Sequence, residues 1–369
     1  MRISTRRAVG FTLWMTTAWI LAVLVIATLA VGETARNLGL PEVRPAMRFT
    51  NMLVPGIVAG LLASWLELKI IPARVRSLSV GMMLVLRTLT YAGVAGVSLL
   101  FALRYAARRR MRIPLRELFA GDGFADFLSG ADPWQLVLGF IVASFIINGV
   151  LSLTRVLGPG VMPRLLLGRC ARPREEQRAF MFLDLVDATT LAERLGPLAF
   201  CEFRNDFFHD LAEPVLNTRG QIVQYAGDEA IITWKLDTAL ERANCIRCFF
   251  LVEEQIGKRE AHYTARYGVV PRFKAGIHGG LVVVSEIGDI KREISFSGDT
   301  MNTTSRIEGL CRPMGERILV SEFLADQFEG VEMEDLGEQT LKGKEQPLRV
   351  FAVRGLSDLK PIGPARRHA

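Results

Sequence analysis

The sequence predicts an α-helical membrane domain followed by an α+β soluble domain, and three observations carry that expectation. Long uncharged apolar runs fall only in the first 154 residues. Charge divides the chain near the same place: up to Arg174 there are 21 Lys plus Arg against 7 Asp plus Glu, and from Glu175 onward 24 against 31, so net charges of +14 and −7 make up the chain's +7. Beyond the divide, short strand-like apolar runs alternate with helical patterns, which is how a mixed domain reads.

Within the first part, Phe11 to Val31 and Pro133 to Thr154 are each long enough to cross roughly 30 Å of hydrocarbon as a helix. Phe49 to Leu66 and Thr88 to Leu103 are shorter, bracketed by Arg48, Glu67, Arg87 and Arg104, and read as two further spans of a domain covering 1–154. Trp14, Trp19, Trp65 and Trp134 fall in this half, with Trp65 and Trp134 near span ends as an interfacial belt has them. The start, MRISTRRAVG before a long apolar run with no clear cleavage site, reads as an uncleaved anchor. Four crossings put both termini on one side. Arg2, Arg6 and Arg7 assign that side to the cytoplasm, which predicts a multi-pass protein of the inner (plasma) membrane with a cytoplasmic second half. The arginine-rich connection 104–116 conflicts with this orientation, so either one weak segment is not a span or the connection lies along the membrane surface.

A sequence pI near 9.4 raises nucleic acid as a partner. The excess arginines flank hydrophobic segments instead of forming a stripe with aromatics on a soluble domain, so membrane lipid is the expected partner and nucleic acid is not. All five cysteines, Cys170, Cys201, Cys245, Cys248 and Cys311, lie in the last 200 residues with no paired framework, which fits a reducing compartment. Cys245 and Cys248 form a lone C-x-x-C inside a helical pattern, a weak signal for metal or redox chemistry. Gly and Pro punctuation in RVLGPGVMPRLLLGRCARPREEQ marks a linker over 155–175, ahead of a domain at 176–355 and a tail at 356–369.

In the soluble half, AFMFLDLV is an apolar run of strand length carrying one acid, Asp184, where an unpartnered carboxylate is costly. A helical pattern leads to QIVQYAGDEAIITW, two apolar runs about a Gly-Asp-Glu turn with Asp228 at the tip. Most such turns have no catalytic role. A strand, a helical connection and a hairpin can nevertheless bring Asp184 and Asp228 onto neighbouring strands, and two converging carboxylates suit a pair of Mg²⁺ ions. Downstream, PRFKAGIHGG alternates so that Arg272, Lys274 and His278 share one face. In REISFSGD, Ser295 lies on the face opposite Ile294 and Phe296. GDTMNTTSRIEGL starts a helix, with Asp299 read as its cap and Asn302 and Arg306 four residues apart on one face.

The ordered set FLDLVDATT, QYAGDEAIITW, FKAGIHGG, EISFSGDTMNTTSRIE and TLKGKEQPLRVF resembles the catalytic domain of class III nucleotidyl cyclases, from about Arg178 to Val353. The hairpin string also looks like the Gly-Gly-Asp-Glu-Phe of diguanylate cyclases, but LVDATTLAERLG lacks the run those enzymes carry after their first Asp. The class III resemblance implies a ferredoxin-like α+β catalytic domain that cyclises a nucleoside triphosphate to its 3′,5′-monophosphate at a homodimer interface. It implies two Mg²⁺ per site, with Mn²⁺ able to substitute, and a metal set of Asp184, Asp228 and Leu185. Asn302 would orient the ribose, Arg306 would neutralise charge on the α-phosphate, and Lys342 would hold the triphosphate tail. Backbone N–H groups of Val186 to Thr190, with Thr189 in the substrate set, would cradle the phosphates. The base-reading cations are Arg272, four residues before the strand glycine, and Lys274. Ser295 replaces their usual Asp or Thr partner, and ATP is the expected substrate over GTP. Asp187 stands where many members have glycine.

Overall fold

The computed structural model describes residues 3–37, 45–69, 80–106, 132–157, 173–288, 293–341 and 346–356, which fall into two units, Met1–Gly158 and Pro159–Ala369. The first unit contains helices α1 (Ile3–Asn37), α2 (Pro45–Lys69), α3 (Val80–Ala106) and α4 (Asp132–Leu157). Two of them hold a stretch long and apolar enough to cross a membrane, Val9–Ile26 and Val137–Thr154, each with mean hydropathy 2.1. The apolar stretches of α2 and α3, Gly56–Leu68 and Gly81–Val94, are shorter. The arginine-rich 104–116 connection lies mostly outside the described residues.

Small residues govern how α1 meets α2. Gly56, Gly60 and Ser64 recur every four residues and so stack on one face of α2. A Cβ on Gly60 would stand 2.4 Å from Thr16 Cα and one on Gly56 2.8 Å from Ile20 Cα, so only glycine permits this approach. Thr12 and Ser64 close the same seam with a 2.8 Å hydroxyl contact. Such small-xxx-small seams let helix backbones touch where hydrophobic burial gives no net drive. The outward faces are apolar, with Leu13, Leu21, Leu61, Leu89, Leu138 and Ile146 exposed.

The inside holds charge. Sequence reading set Glu67 and Arg87 at the ends of short spans, but α2 and α3 continue through both residues and bury them. Arg87 meets Glu67 at 2.8 Å, Tyr91 donates its hydroxyl to the other Glu67 oxygen at 2.8 Å, and Trp19 lies edge-on to Tyr91. Pairing is the physical reason charges tolerate that burial. Arg87→Met should therefore lower stability by about 3–5 kcal/mol, because it strands a buried carboxylate, whereas Arg87→Met with Glu67→Met recovers most of the loss. Thermal unfolding in detergent reads both.

In the second unit the expected α+β architecture forms. Its strands are β1 (Arg174–Leu185), β2 (Gln221–Ala226), β3 (Glu229–Lys235), β4 (Phe273–Ile287), β5 (Glu293–Ser297), β6 (Ile318–Ser321), β7 (Val331–Gln339) and β8 (Leu348–Leu356). They make a mixed sheet in the order β2-β3-β1-β4-β6-β8-β7, with β5 added to the far end of β4. Only the β4–β6 pair is parallel among the described strands. The helices used below are α5 (Ala188–Leu195), α6 (Pro197–Asn217), α7 (Asn244–Lys258), α8 (Glu260–Tyr267) and α9 (Asp299–Met314).

Strand alternation sorts β1 between two cores. Ala179, Met181, Leu183 and Leu185 face one way, into a core with Phe203 and Phe207 of α6 and Phe249 of α7. Phe180 and Phe182 face the other, against Val282, Val284 and Phe296, with Met301 of α9. Asp184 has the parity of Phe180 and Phe182, so it emerges on the α9 side. The C-x-x-C pair lies in α7, and burial pushes both thiols up to about 12, which makes Cys245 and Cys248 neutral core residues.

Candidate active site

Register brings the acids together. Asp184 of β1 pairs with Glu229 of β3 on one side and Lys274 of β4 on the other, so three charged side chains form a row across adjacent strands on one face. The β2–β3 hairpin has a two-residue tip, Gly227-Asp228, in which Gly227 takes the left-handed backbone (φ 65°) that a tight hairpin favours. That tip carries Asp228 to the cavity that Asp184 lines, a space of about 690 Å³ within the range of small-molecule sites. Leu185, Thr189, Arg272 and Lys274 line it as well.

Helix α9 closes over this row. A Cβ on Gly276 would stand 2.2 Å from the backbone N of Glu308, so the helix rests directly on β4 at that glycine. The contact puts Glu308 above Lys274, whose ammonium donates to Asp184 at 2.8 Å and also to Glu308. Burial pushes the Lys274 ammonium down, but the hydrogen bonds and charges of Asp184 and Glu308 outweigh it and hold the group above the usual lysine value. Burial raises Glu308, and Asp184 and Asp228 add to that against the pull of Lys274. Glu229 is pushed up to about 7, first by burial, then by Glu308 and Asp184. Two carboxylates facing across a strand pair, about 5 Å apart, repel by about 3 kcal/mol at an effective dielectric of 20. Arg272, Arg312 and Arg317 also line the cavity, but Lys274 is the cation that acts on Glu229 and Glu308, so the row at Asp184 is locally short of positive charge.

A divalent cation fits that deficit. Among the described residues no group of three or more His, Cys or carboxylate side chains closes on one point. The oxygens that could hold such a cation are those of Asp184 and Asp228, with the Leu185 carbonyl beside them, all three residues lining the same cavity. Sparse oxygen ligation of this kind suits Mg²⁺, which keeps water and takes substrate phosphates for the rest. The ammonium on Asp184 shows that a cation is already held there.

The other expected residues sort by position. Asp187 is exposed, precedes α5 and takes a left-handed backbone (φ 58°), which gives a physical reason for glycine to be common there and for Asp, tolerant of that region, to replace it. Val186 N–H donates to the Arg272 carbonyl at 2.8 Å, so of the Val186–Thr190 amides this one is spoken for. Ala188, Thr189 and Thr190 open α5, and the first bond of that turn runs from Leu191 N–H to the Asp187 carbonyl. Arg272 precedes β4 and is exposed. Ser295 sits opposite Ser285, eleven positions along β4 from Lys274, so the two do not meet within one chain. Asn302 and Arg306 occupy α9 as predicted, exposed and half-buried, but are not among the described residues lining the Asp184 cavity. The cap of α9 is Gly298, and Asp299 is instead the first helical residue, accepting from Thr303 at 3.2 Å. Lys342 lies outside the described residues.

Glu229, Glu308 and Arg312 also reach this region without having been singled out in the sequence. Glu229 was legible, since it adjoins Asp228 in the quoted hairpin and its parity on β3 is fixed by the turn. Glu308 was not, because its partner is 34 positions away and only the packing at Gly276 joins them.

The catalytic-domain model of adenylate and guanylate cyclases matches residues 171–355. The chain belongs to that family. Adenylate cyclase 2 of Rhizobium meliloti (strain 1021) is 44% identical over 207 residues, covering 55% of this chain and 57% of that protein. Adenylate cyclase 1 of the same organism is 32% identical over 190 residues, covering 50% of this chain and 28% of that protein. The matched region thus spans little more than half of the first relative and about a quarter of the second. Among solved structures, a bacterial light-regulated adenylyl cyclase superimposes with a TM-score of 0.51 at 16% identity over 62% of this chain and 66% of that one, a likeness of fold.

Because α9 touches β4 through backbone at Gly276, Gly276→Ala should shift the helix or lower the stability of this unit by roughly 1–3 kcal/mol. Denaturant unfolding followed by the fluorescence of Trp234, buried in this unit, measures it.

Proposed function

We propose that this protein is a membrane-anchored adenylate cyclase that converts ATP to 3′,5′-cyclic AMP and pyrophosphate at two shared sites of a homodimer. The observation that carries the reading is the separation of two half-sites in one chain. Asp184 and Asp228 share a cavity that Asn302 and Arg306, on α9 of the same chain, do not line. A second copy set against the first would bring its Asn302 and Arg306 to the carboxylates and complete the site twice. Relatives named adenylate cyclase at 44% and 32% identity support ATP as the substrate, and a guanylate cyclase is the competing reading.

Two Mg²⁺ ions held by Asp184, Asp228 and the Leu185 carbonyl would supply charge neutralisation for the 3′-hydroxyl and the triphosphate. The chain's own work is positioning and fixed charge, since phosphoryl transfer asks little covalent chemistry of a protein. The amides of Ala188, Thr189 and Thr190 at the start of α5 bind phosphate oxygens. Asn302 holds the ribose so that O3′ lies in line with the bond to the departing pyrophosphate, and Arg306 meets the charge growing on the α-phosphate. Arg272, Lys274 and Ser295 complete the substrate set with Lys342. Because Ser295 lies far along β4 from Lys274 in one chain, its contribution to a shared site would come from the copy that supplies Asn302.

The domain assignment follows: a membrane domain at 1–154, a juxtamembrane linker at 155–175, the catalytic domain at 176–355 and a tail at 356–369. Support for a four-span anchor in the inner membrane, with lipid as partner and the catalytic domain in the cytoplasm, comes from the two span-length helices, the exposed apolar faces and the basic first half.

Purified full-length protein should form cyclic AMP from ATP with Mg²⁺ or Mn²⁺, and Asp184→Asn should abolish it; faster turnover of GTP would select the competing reading. Asp228→Ala and Asn302→Ala chains, each inactive alone, should regain about a quarter to a half of the activity when mixed, because one of the two sites in a mixed dimer is intact. A mixture as inactive as its components rules out the shared site. Asp187→Gly, which keeps the left-handed turn and removes a negative charge near the phosphates, should lower the KM for ATP by about threefold, the scale of one exposed charge pair.

A further inference from the structure

The Lys274 ammonium bridges two carboxylates of different kinds. Asp184 stands at the end of a sheet strand and is a proposed metal ligand, whereas Glu308 belongs to α9, fixed on Gly276 by backbone contact. Both contacts are sheltered, with the Lys274 side chain 15% exposed and that of Glu308 10%. A lysine has three N–H donors on a flexible stem, so one partner can be released while the other is kept. A divalent cation and an ammonium cannot share Asp184 at close range without strong repulsion.

We propose that Glu308 is a positioning residue that draws Lys274 off Asp184 when a divalent cation arrives, and that the Glu308–Lys274 pair thereby sets the metal affinity of the site. The inference rests on the metal reading above and deepens it. In the metal-free chain Lys274 is the resident counter-ion that keeps Asp184, Glu229 and Glu308 from repelling one another. On metal binding the ammonium gives up its hydrogen bond to Asp184 and keeps the one to Glu308, with no proton transferred and no covalent bond changed. Without Glu308 the ammonium has Asp184 as its nearer carboxylate and competes with the metal. Helix α9, which carries Asn302 and Arg306, is in this way tied through Glu308 to the state of the metal acids.

The test is Mn²⁺ binding without nucleotide, followed by the electron paramagnetic resonance of free Mn²⁺, on the full chain in micelles. Lys274→Met should tighten binding and Glu308→Gln should weaken it, each by about tenfold, the weight of one charge-assisted hydrogen bond. Glu308→Asp, which keeps the charge, should restore most of the lost affinity. The decisive comparison is the double variant. If Glu308 acts through Lys274, Lys274→Met with Glu308→Gln binds Mn²⁺ as tightly as Lys274→Met alone. If Glu308→Gln weakens binding equally in both backgrounds, Glu308 acts by its own charge or as a ligand, and the inference is overturned. Should Glu308→Gln not fold, Lys274→Met decides alone, since unchanged or weaker affinity contradicts competition at Asp184. Asp184→Asn separates the two levels. If it leaves Mn²⁺ binding intact, the metal reading fails and takes this inference with it; if it abolishes binding while the Lys274 and Glu308 variants bind like the parent chain, only the inference fails.

Discussion

A carboxylate on the face of an otherwise apolar strand is the constraint around which the catalytic unit is arranged. Asp184 follows Phe180 and Phe182 on the same side of β1, and its neighbours in register are an acid on β3 and a lysine on β4. Burial, and then the crowding of Glu229, Asp228 and Glu308 around it, raises the cost of negative charge here, and Glu229 and Glu308 are both pushed up, by desolvation first and by neighbouring carboxylates second. Positive charge, or a proton on Glu229, relieves that cost. Lys274 supplies part of it from within the chain, and divalent cations with their triphosphate ligand supply the rest in the proposed enzyme. The sheet provides rigidity, since β1 is paired along its length to β4 and, over its second half, to β3.

The same physics runs the other way in the first unit. There apolar side chains face out, and the polar and charged groups, Glu67, Arg87, Ser144 and Asn148, are buried. Arg87 and Glu67 pair because burial leaves neither a cheaper choice. Helix contact along Gly56, Gly60 and Ser64 then depends on close backbone approach, which glycine alone permits.

Much of the candidate site is legible in the sequence because its signals are local. A strand-length apolar run with one acid, a Gly-Asp turn between two apolar runs, and Asn and Arg at helical spacing each report their own element, and the elements formed where the sequence predicts them. What escaped depends on contacts between distant segments. Glu308 meets Lys274 only because α9 lands on Gly276, and no periodicity in α9 announces that landing. The Val186 amide looks free for phosphate in the sequence because the carbonyl that takes it, that of Arg272, lies 86 positions on. The motif pairs Ser295 with Lys274, yet the length of β4 holds them apart within one chain. Counting charges along a segment puts span ends at Glu67 and Arg87, because it misses a partner on the next helix.

In the proposed enzyme, Asp184 and Asp228 grip divalent cations opposite the Asn302 and Arg306 of a second copy. The most direct test is a crystal structure with Mn²⁺ and a non-cyclising ATP analogue, with the metal located by its anomalous signal. Peaks should lie at about 2.1–2.3 Å from oxygens of both aspartates, with the partner's α9 across the nucleotide. Peaks away from these carboxylates, or a nucleotide bound with both half-sites drawn from one chain, would contradict it.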